Sequence, residues 1–221
     1  MNEAFRQNQC TNRLISTLLR FFFYLLYGSL AWTYDWVAGF VSQGLWQEWV
    51  LEVAADCHGP KVLELGHGPG HLQKALYEKG IWICGIDSSR QMGRLAHKRL
   101  KKSGLEPNLV NGFAQYLPFA SGSFAQVVAT FPTEYIVDAC TLKEVRRVLK
   151  LGGELVVMPV AWITGKRFLE RAAAYLFHVT GQAPEWDDRA LDPVRETGFK
   201  VEIERRKLKS SELLIIHARK I

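Results

Sequence analysis

Three glycines at alternate positions, Gly66, Gly68 and Gly70, follow directly on an apolar run that carries one carboxylate, Val62-Leu63-Glu64-Leu65. Glycine has no Cβ and takes positive φ readily, so a turn of this kind lets backbone approach a bound ligand closely. A second carboxylate, Asp87, ends the next apolar run, residues 81–86. A carboxylate offers two oxygens as acceptors. Together these residues describe a pocket for an adenosine-containing cofactor. His67 and His71 flank the turn, where an imidazole either supports the loop by hydrogen bonding or takes part in chemistry.

The turn needs a strand before it and a helix after it, and the surrounding pattern supplies both. Residues 62–65 read as a buried strand and 72–79 as a helix ended by Gly80. Residues 81–86 read as a second strand, and 91–103 as a basic helix with Gly104 just past its end, the position favoured for a left-handed cap. Short apolar runs at 109–110, 124–131 and 155–158 give three more strands, with a helix over 141–149 before Gly152-Gly153. Repeated β-α-β units with apolar strands predict a parallel sheet covered by helices on both faces. Residues 201–208 and 213–217 are separated by four residues, too few for a parallel crossover, so they predict an antiparallel hairpin. A helical piece is expected over 166–178, and a short helix closed by Gly198.

The chain has 221 residues, 28 Lys+Arg against 22 Asp+Glu, and four scattered cysteines (Cys10, Cys57, Cys84, Cys140). That length suits one domain with an appended cap. The basic excess is too small to argue for nucleic acid by itself, although Arg94, Lys98, Arg99, Lys101 and Lys102 share one helix. Cysteines without C-x-x-C spacing read as free thiols in a reducing cytoplasm. The N-terminal 60 residues read as a helical cap. Residues 21–34 are uncharged and rich in aromatics, but the run is shorter than the roughly 20 apolar residues that span a bilayer. Arg6, Arg13 and Arg20 recur every seven residues beside a Leu/Phe-rich surface, a pattern that fits either a lid helix or a helix lying in a membrane interface.

Four pieces in order make the chain resemble the class I S-adenosylmethionine-dependent methyltransferases, in the small-molecule branch around the ubiquinone/menaquinone-type enzymes. They are Glu64-Leu65-Gly66-His67-Gly68-Pro69-Gly70; Gly85-Ile86-Asp87-Ser88-Ser89-Arg90-Gln91-Met92; Ala114-Gln115-Tyr116-Leu117-Pro118-Phe119 with Ser123-Phe124; and Glu144-Val145-Arg146-Arg147-Val148-Leu149-Lys150-Leu151-Gly152-Gly153. The glycine turn alone is weak evidence, since dehydrogenases use a related spacing; four pieces in register are strong. The resemblance covers residues from about 61 onward, apart from an insertion at 161–186.

The resemblance implies a Rossmann-like α/β fold, with a seven-stranded, mostly parallel sheet ending in the antiparallel hairpin. Residues 1–60 would be the cap and 61–221 the methyltransferase domain. S-adenosylmethionine is the implied cofactor and no metal is implied. Gly66, His67, Gly68 and Gly70 would cradle its methionine part and Glu64 its ammonium, while Asp87 with Ser88 would take the ribose. Ile86 and Met92 would enclose the adenine, and Ala114 and Gln115 would meet its edge. Thr130 and Phe131 would face the sulfonium.

Two departures narrow the expectation. Phe113 stands where the family often has an acidic residue that reads the adenine amino group. The fourth strand ends Thr130-Phe131-Pro132-Thr133 rather than in an Asn/Asp-Pro-Pro-aromatic signature, which disfavours nucleic acid as acceptor. A general base is needed only for some acceptors, and Tyr34, Glu134, Tyr135 and His178 are the candidates. Aromatic residues of the cap, residues 131–136 and the insertion would wall a hydrophobic acceptor site, for a quinone, an aromatic metabolite or a phospholipid headgroup. Cytoplasmic location, with membrane association through the N-terminal helix, is the matching expectation. Two other readings stay open: a cofactor-binding partner protein without catalysis, and an NAD-dependent oxidoreductase.

Overall fold

Strand β1 (Val62–Leu65) is buried at all four positions, as a strand covered on both faces must be. It pairs in parallel with β2 (Ile83–Asp87) on one side and β4 (Phe124–Thr130) on the other. The structure is a computed structural model that describes residues 44–164 and 188–221. Over these residues the strands β3 (Leu109–Asn111), β5 (Leu149–Ile163), β6 (Phe199–Lys207) and β7 (Ser211–Lys220) complete one seven-stranded sheet, in the order β3-β2-β1-β4-β5-β7-β6. β7 runs antiparallel to both β5 and β6, so the expected hairpin closes the sheet at one edge. The strand order reverses at β1, and open α/β sheets bind ligands in the crevice beyond the carboxyl ends of strands at such a point.

Helices cover both faces. The helices α1 (Trp46–Asp56) and α2 (His71–Glu78) pack on one side, where Trp49, Val53, Leu72 and Leu76 meet Val62, Ile83, Val128 and Val156. On the other side α4 (Ala139–Val148) and α5 (Asp192–Glu196) place Leu142, Val145 and Val194 against Leu63, Leu65, Val127 and Leu155. Alternation along β1 therefore sends Leu63 and Leu65 to one core, and Val62 with Glu64 to the other. Helix α3 (Arg90–Lys102) buries Met92, Ala96 and Leu100 and leaves Arg94, Lys98, Lys101 and Lys102 outward, while half-buried Arg99 donates to the Pro69 carbonyl. Its end matches the expectation: Gly104 has φ +73, and the amide of Leu105 donates back to the Leu100 carbonyl. Of the N-terminal cap, the described part amounts to α1, anchored where Trp49 Nε1 donates to Ser211 Oγ at 2.9 Å inside the fold.

Two expectations change. Gly152-Gly153 does not turn the chain into a fresh strand; it forms an irregularity inside β5, between the pairs Phe124↔Leu149 and Gln126↔Glu154. Gly153 is held there by packing, since a Cβ would lie 2.9 Å from the carbonyls of Ala125 and Lys150. β5 also runs on to Ile163 and pairs with β7 there. Residues 161–163, expected to open a helical insertion, therefore belong to the sheet. The rest of that insertion, residues 165–186, and the N-terminal segment with Arg6, Arg13 and Arg20 lie outside the described residues. Among the described residues, no helix is long and apolar enough to cross a membrane.

Candidate active site

The glycine turn lies between β1 and α2, and each of its glycines has a positive φ: +67 at Gly66, +49 at Gly68 and +82 at Gly70. Each position has a different reason to lack a side chain. A Cβ on Gly66 would stand 2.8 Å from Tyr135 Oη, and one on Gly70 would meet Ala96 Cβ at 2.9 Å and Cα at 3.2 Å. Around Gly68 there is open space. Helix packing requires Gly70, whereas Gly68 is free on the side where a ligand would approach. The next strand end is tied to this turn. Asp87 Oδ2 accepts from the Gly68 amide at 2.9 Å and Oδ1 from the Ser89 amide at 2.8 Å. Two backbone donors thus fix the carboxylate across the crevice and leave each oxygen a further lone pair. Ser89 also caps α3, its Oγ accepting from the Met92 amide.

Glu64 sits beneath the turn at 2% exposure. Gln73 of α2, itself at 0% exposure, donates from Nε2 to Glu64 Oε2 at 2.6 Å. Burial pushes the Glu64 carboxyl up to about 8, and the charge of Asp87 adds to the rise while the Gln73 hydrogen bond opposes it. His67 is buried as well, with Nδ1 2.7 Å from the Gly68 carbonyl. Its desolvation holds the imidazole below its ordinary range, against the opposing pull of Asp87. This is the geometry of a histidine that supports the turn.

The loop after β3 is held from a distance. Arg147 of α4 donates to the carbonyls of Phe119 (2.6 Å) and Leu117 (2.9 Å), and Glu144 Oε2 accepts from the Leu117 amide at 2.8 Å. The two side chains pair with each other at 2.7 Å. The third and fourth sequence pieces are thereby one mechanical unit: the Glu144–Arg147 clasp positions the loop that carries Ala114 and Gln115. Gly112, just before that loop, leaves only 3.1 Å between a Cβ and Ile86 Cδ1. Ile86 and Met92 are fully buried, Ala114 and Gln115 are partly exposed, and Phe113 stands out at 62% exposure.

At the head of β4, Thr130 is partly exposed, and Phe131 is the one non-glycine residue with positive φ (+48) among the described residues. A residue before proline in that region is strained. The bend sends the Phe131 ring onto Trp46, with centroids 4.3 Å apart in a stacked arrangement, and beside Trp49. Tyr135 reaches back from the short 3-10 helix Glu134–Val137, its Oη donating to the Leu65 carbonyl at 3.2 Å. Glu134, next to it, is exposed, and so is Ser88 on the far side of the crevice. Tyr34 and His178 lie outside the described residues. Thus Glu64, Gly66, His67, Gly68, Gly70, Asp87 and Tyr135 converge on the head of β1. Gln73 escaped the sequence reading, although a polar residue among Leu72, Ala75 and Leu76 on the buried side of α2 was a visible signal.

Residues 62–153 match the family described as a methyltransferase domain. The chain is 32% identical over 165 residues to a demethylmenaquinone methyltransferase of Thermotoga maritima, covering 72% of this chain and 69% of the relative. It is 29% identical over 164 residues to a ubiquinone/menaquinone biosynthesis C-methyltransferase of Blochmanniella floridana, covering 70% of this chain and 64% of that protein. The fold superposes on a SAM-dependent methyltransferase of Thermotoga maritima with a TM-score of 0.58 at 21% identity, over 85% of this chain and 95% of the other.

Proposed function

The chain belongs to the class I S-adenosylmethionine-dependent methyltransferases related to the quinone C-methyltransferases, and on that premise we propose that its acceptor is a small hydrophobic, quinone- or lipid-like molecule. The observation that carries this reading is the aromatic face at the carboxyl end of β4, where Phe131 is bent onto Trp46 beside the glycine turn. An apolar, ring-lined wall next to the cofactor cradle suits an apolar acceptor.

The residues present fit the cofactor. Gly68 leaves backbone open to a ligand, Asp87 keeps acceptor capacity for a ribose diol, and Glu64 lies under the turn as the partner for an ammonium. S-adenosylmethionine carries a methyl group already activated on a sulfonium, so the protein's part is to bind, align and exclude water. Ile86 and Met92 form an apolar floor beside the β2 end, and Ala114, Gln115, Ser88 and Thr130 line the approach. His67 holds the turn in shape through the Gly68 carbonyl. Tyr135 stands against Gly66 with its hydroxyl already engaged by the Leu65 carbonyl, which makes it a wall and orienting group. Glu134, exposed beside it, is the group free to take a proton.

Peripheral membrane contact belongs to the same proposal. The seven-residue spacing of Arg6, Arg13 and Arg20 beside an apolar surface supports it. Removal of residues 1–13 should then lower co-sedimentation with anionic vesicles; unchanged sedimentation makes the segment a lid. The acceptor is tested by incubating the protein with radiolabelled S-adenosylmethionine and a panel of demethylated quinones, phospholipids and polar amines. Label in the organic phase with quinone or lipid supports the reading, and label only in the amines overturns it.

A further inference from the structure

Gln73 Oε1, under the glycine turn, is fully buried and has no hydrogen-bond partner among the described residues, while the other end of the same amide donates to Glu64 Oε2 at 2.6 Å. An unpaired buried acceptor is costly. The amide is not free to move to a better place. It is wedged against Gly85 of β2, where a Cβ would stand 2.9 Å from Gln73 Nε2 and equally close to His67 Cβ. A neutral carboxyl and a primary amide satisfy each other completely: the amide N–H donates to one carboxyl oxygen, and the carboxyl O–H donates to the amide oxygen. A carboxylate facing that amide leaves the amide oxygen orphaned.

We propose that Glu64 and Gln73 form an acid–amide pair that holds one proton in the cofactor-free protein and releases it to solvent when the ammonium of S-adenosylmethionine binds. Gln73 is the positioning residue of the pair. The inference rests on the reading that Glu64 meets that ammonium, and adds a proton to the binding equilibrium. The bond that breaks is the Glu64 O–H; the proton passes to buffer, and the carboxylate left behind is neutralised by the incoming cation. The raised titration range of Glu64 agrees with this. The charged or ionisable groups around the pair work the same way or nearly so. Asp87 at the end of β2 opposes a second negative charge, buried Cys57 after α1 has its thiol pushed up to about 12 and stays neutral, and His67 in the turn is held towards its neutral form.

The test is calorimetric titration of S-adenosylmethionine into the intact protein at pH 7, in buffers of different ionisation enthalpy, with protons from the ligand's own amine subtracted from a parallel titration of free ligand. Release of about one proton per cofactor bound is expected, falling to none in Glu64→Gln. Gln73→Met keeps the volume but removes donor and acceptor. It should weaken binding about tenfold and displace the pH profile of the dissociation constant, which a purely structural role would not do. An independent reading comes from infrared difference spectra, where a protonated carboxyl band should vanish on binding and be absent in Glu64→Gln. Tight binding with buffer-independent enthalpy and no carboxyl band overturns the acid–amide pair and leaves the cofactor reading intact. Absence of any binding by the wild-type protein overturns the cofactor reading itself.

Discussion

The glycine turn in the middle of this sheet and the hairpin at its edge handle buried polar groups in opposite ways. At the glycine turn, Glu64, Gln73 and His67 are buried with few partners, and one amide oxygen has none. At the hairpin edge, charge is denser and the partners are paired. Arg206 of β6 donates to both oxygens of Asp56 at 2.8 and 3.0 Å and to both oxygens of Glu204 at 2.8 and 2.9 Å. His217 of β7 stands between Glu154 and Glu204 at 3.5 and 3.6 Å. Asp56, Glu204 and His217 lie close enough together to resemble a metal site, yet the guanidinium already spans both carboxylates and supplies the positive charge. A network that satisfies itself fastens α1 to the hairpin.

The sharpest break between the two regions is at Asp87. Asp87→Ala removes the carboxylate that bridges Gly68 and Ser89 and should weaken S-adenosylmethionine binding by one to two orders of magnitude, about 1.5–3 kcal/mol for hydrogen bonds to a charged group. Calorimetry on the folded variant measures it, and unchanged affinity would sink the assignment. At the hairpin edge, Arg206→Met should cost about 2 kcal/mol of stability, because Asp56 is left partly buried without its counter-charge. Cofactor affinity should stay within twofold. Denaturant unfolding and the same titration test both halves of that statement, and a large loss of affinity would mean that the two regions are coupled.

Much of this contrast was legible in the sequence, and the reason is range. The glycine turn, Asp87 and the helix caps are local devices, set by neighbours a few residues away, and all sit where the spacing put them. The terminal hairpin was readable because four residues cannot form a crossover. The Arg206–Asp56 pair joins residues 150 apart, and no local pattern announces such a partner. The same holds for the stacking of Phe131 on Trp46, a contact that only the docking of α1 creates. The double glycine 152–153 misled for a related reason. It satisfies a close approach to Ala125 within the sheet, and that looks like a turn when read along one strand.

Gly68→Ala sharpens the comparison within the cofactor side. No atom lies within 4 Å of the new Cβ, so the folding cost is only the left-handed backbone, about 1 kcal/mol. Its effect on affinity should exceed that, since the methyl group points into space reserved for ligand. Comparison of melting temperature with dissociation constant decides it, and equal losses would make the turn structural.

In pH dependence the two regions share a sign but differ in window. Glu64 titrates near 4.5 when unfolded and near 8 when folded, so the folded state keeps a proton that the unfolded state has lost. Its burial therefore lowers stability progressively from about pH 4.5 to 8. His217 is raised above the ordinary imidazole range, chiefly by its hydrogen bond to Glu154. Its contribution is complete below about pH 6.5 and fades as pH climbs through the raised folded value. Glu64→Gln should flatten the curve from its acid side onward, whereas His217→Gln should flatten only the part above about pH 6.5. Urea unfolding across pH 5–9 separates them. If both variants flatten the same window, the two networks share a proton, and the division between the paired network at the hairpin and the sparsely partnered one under the glycine turn fails.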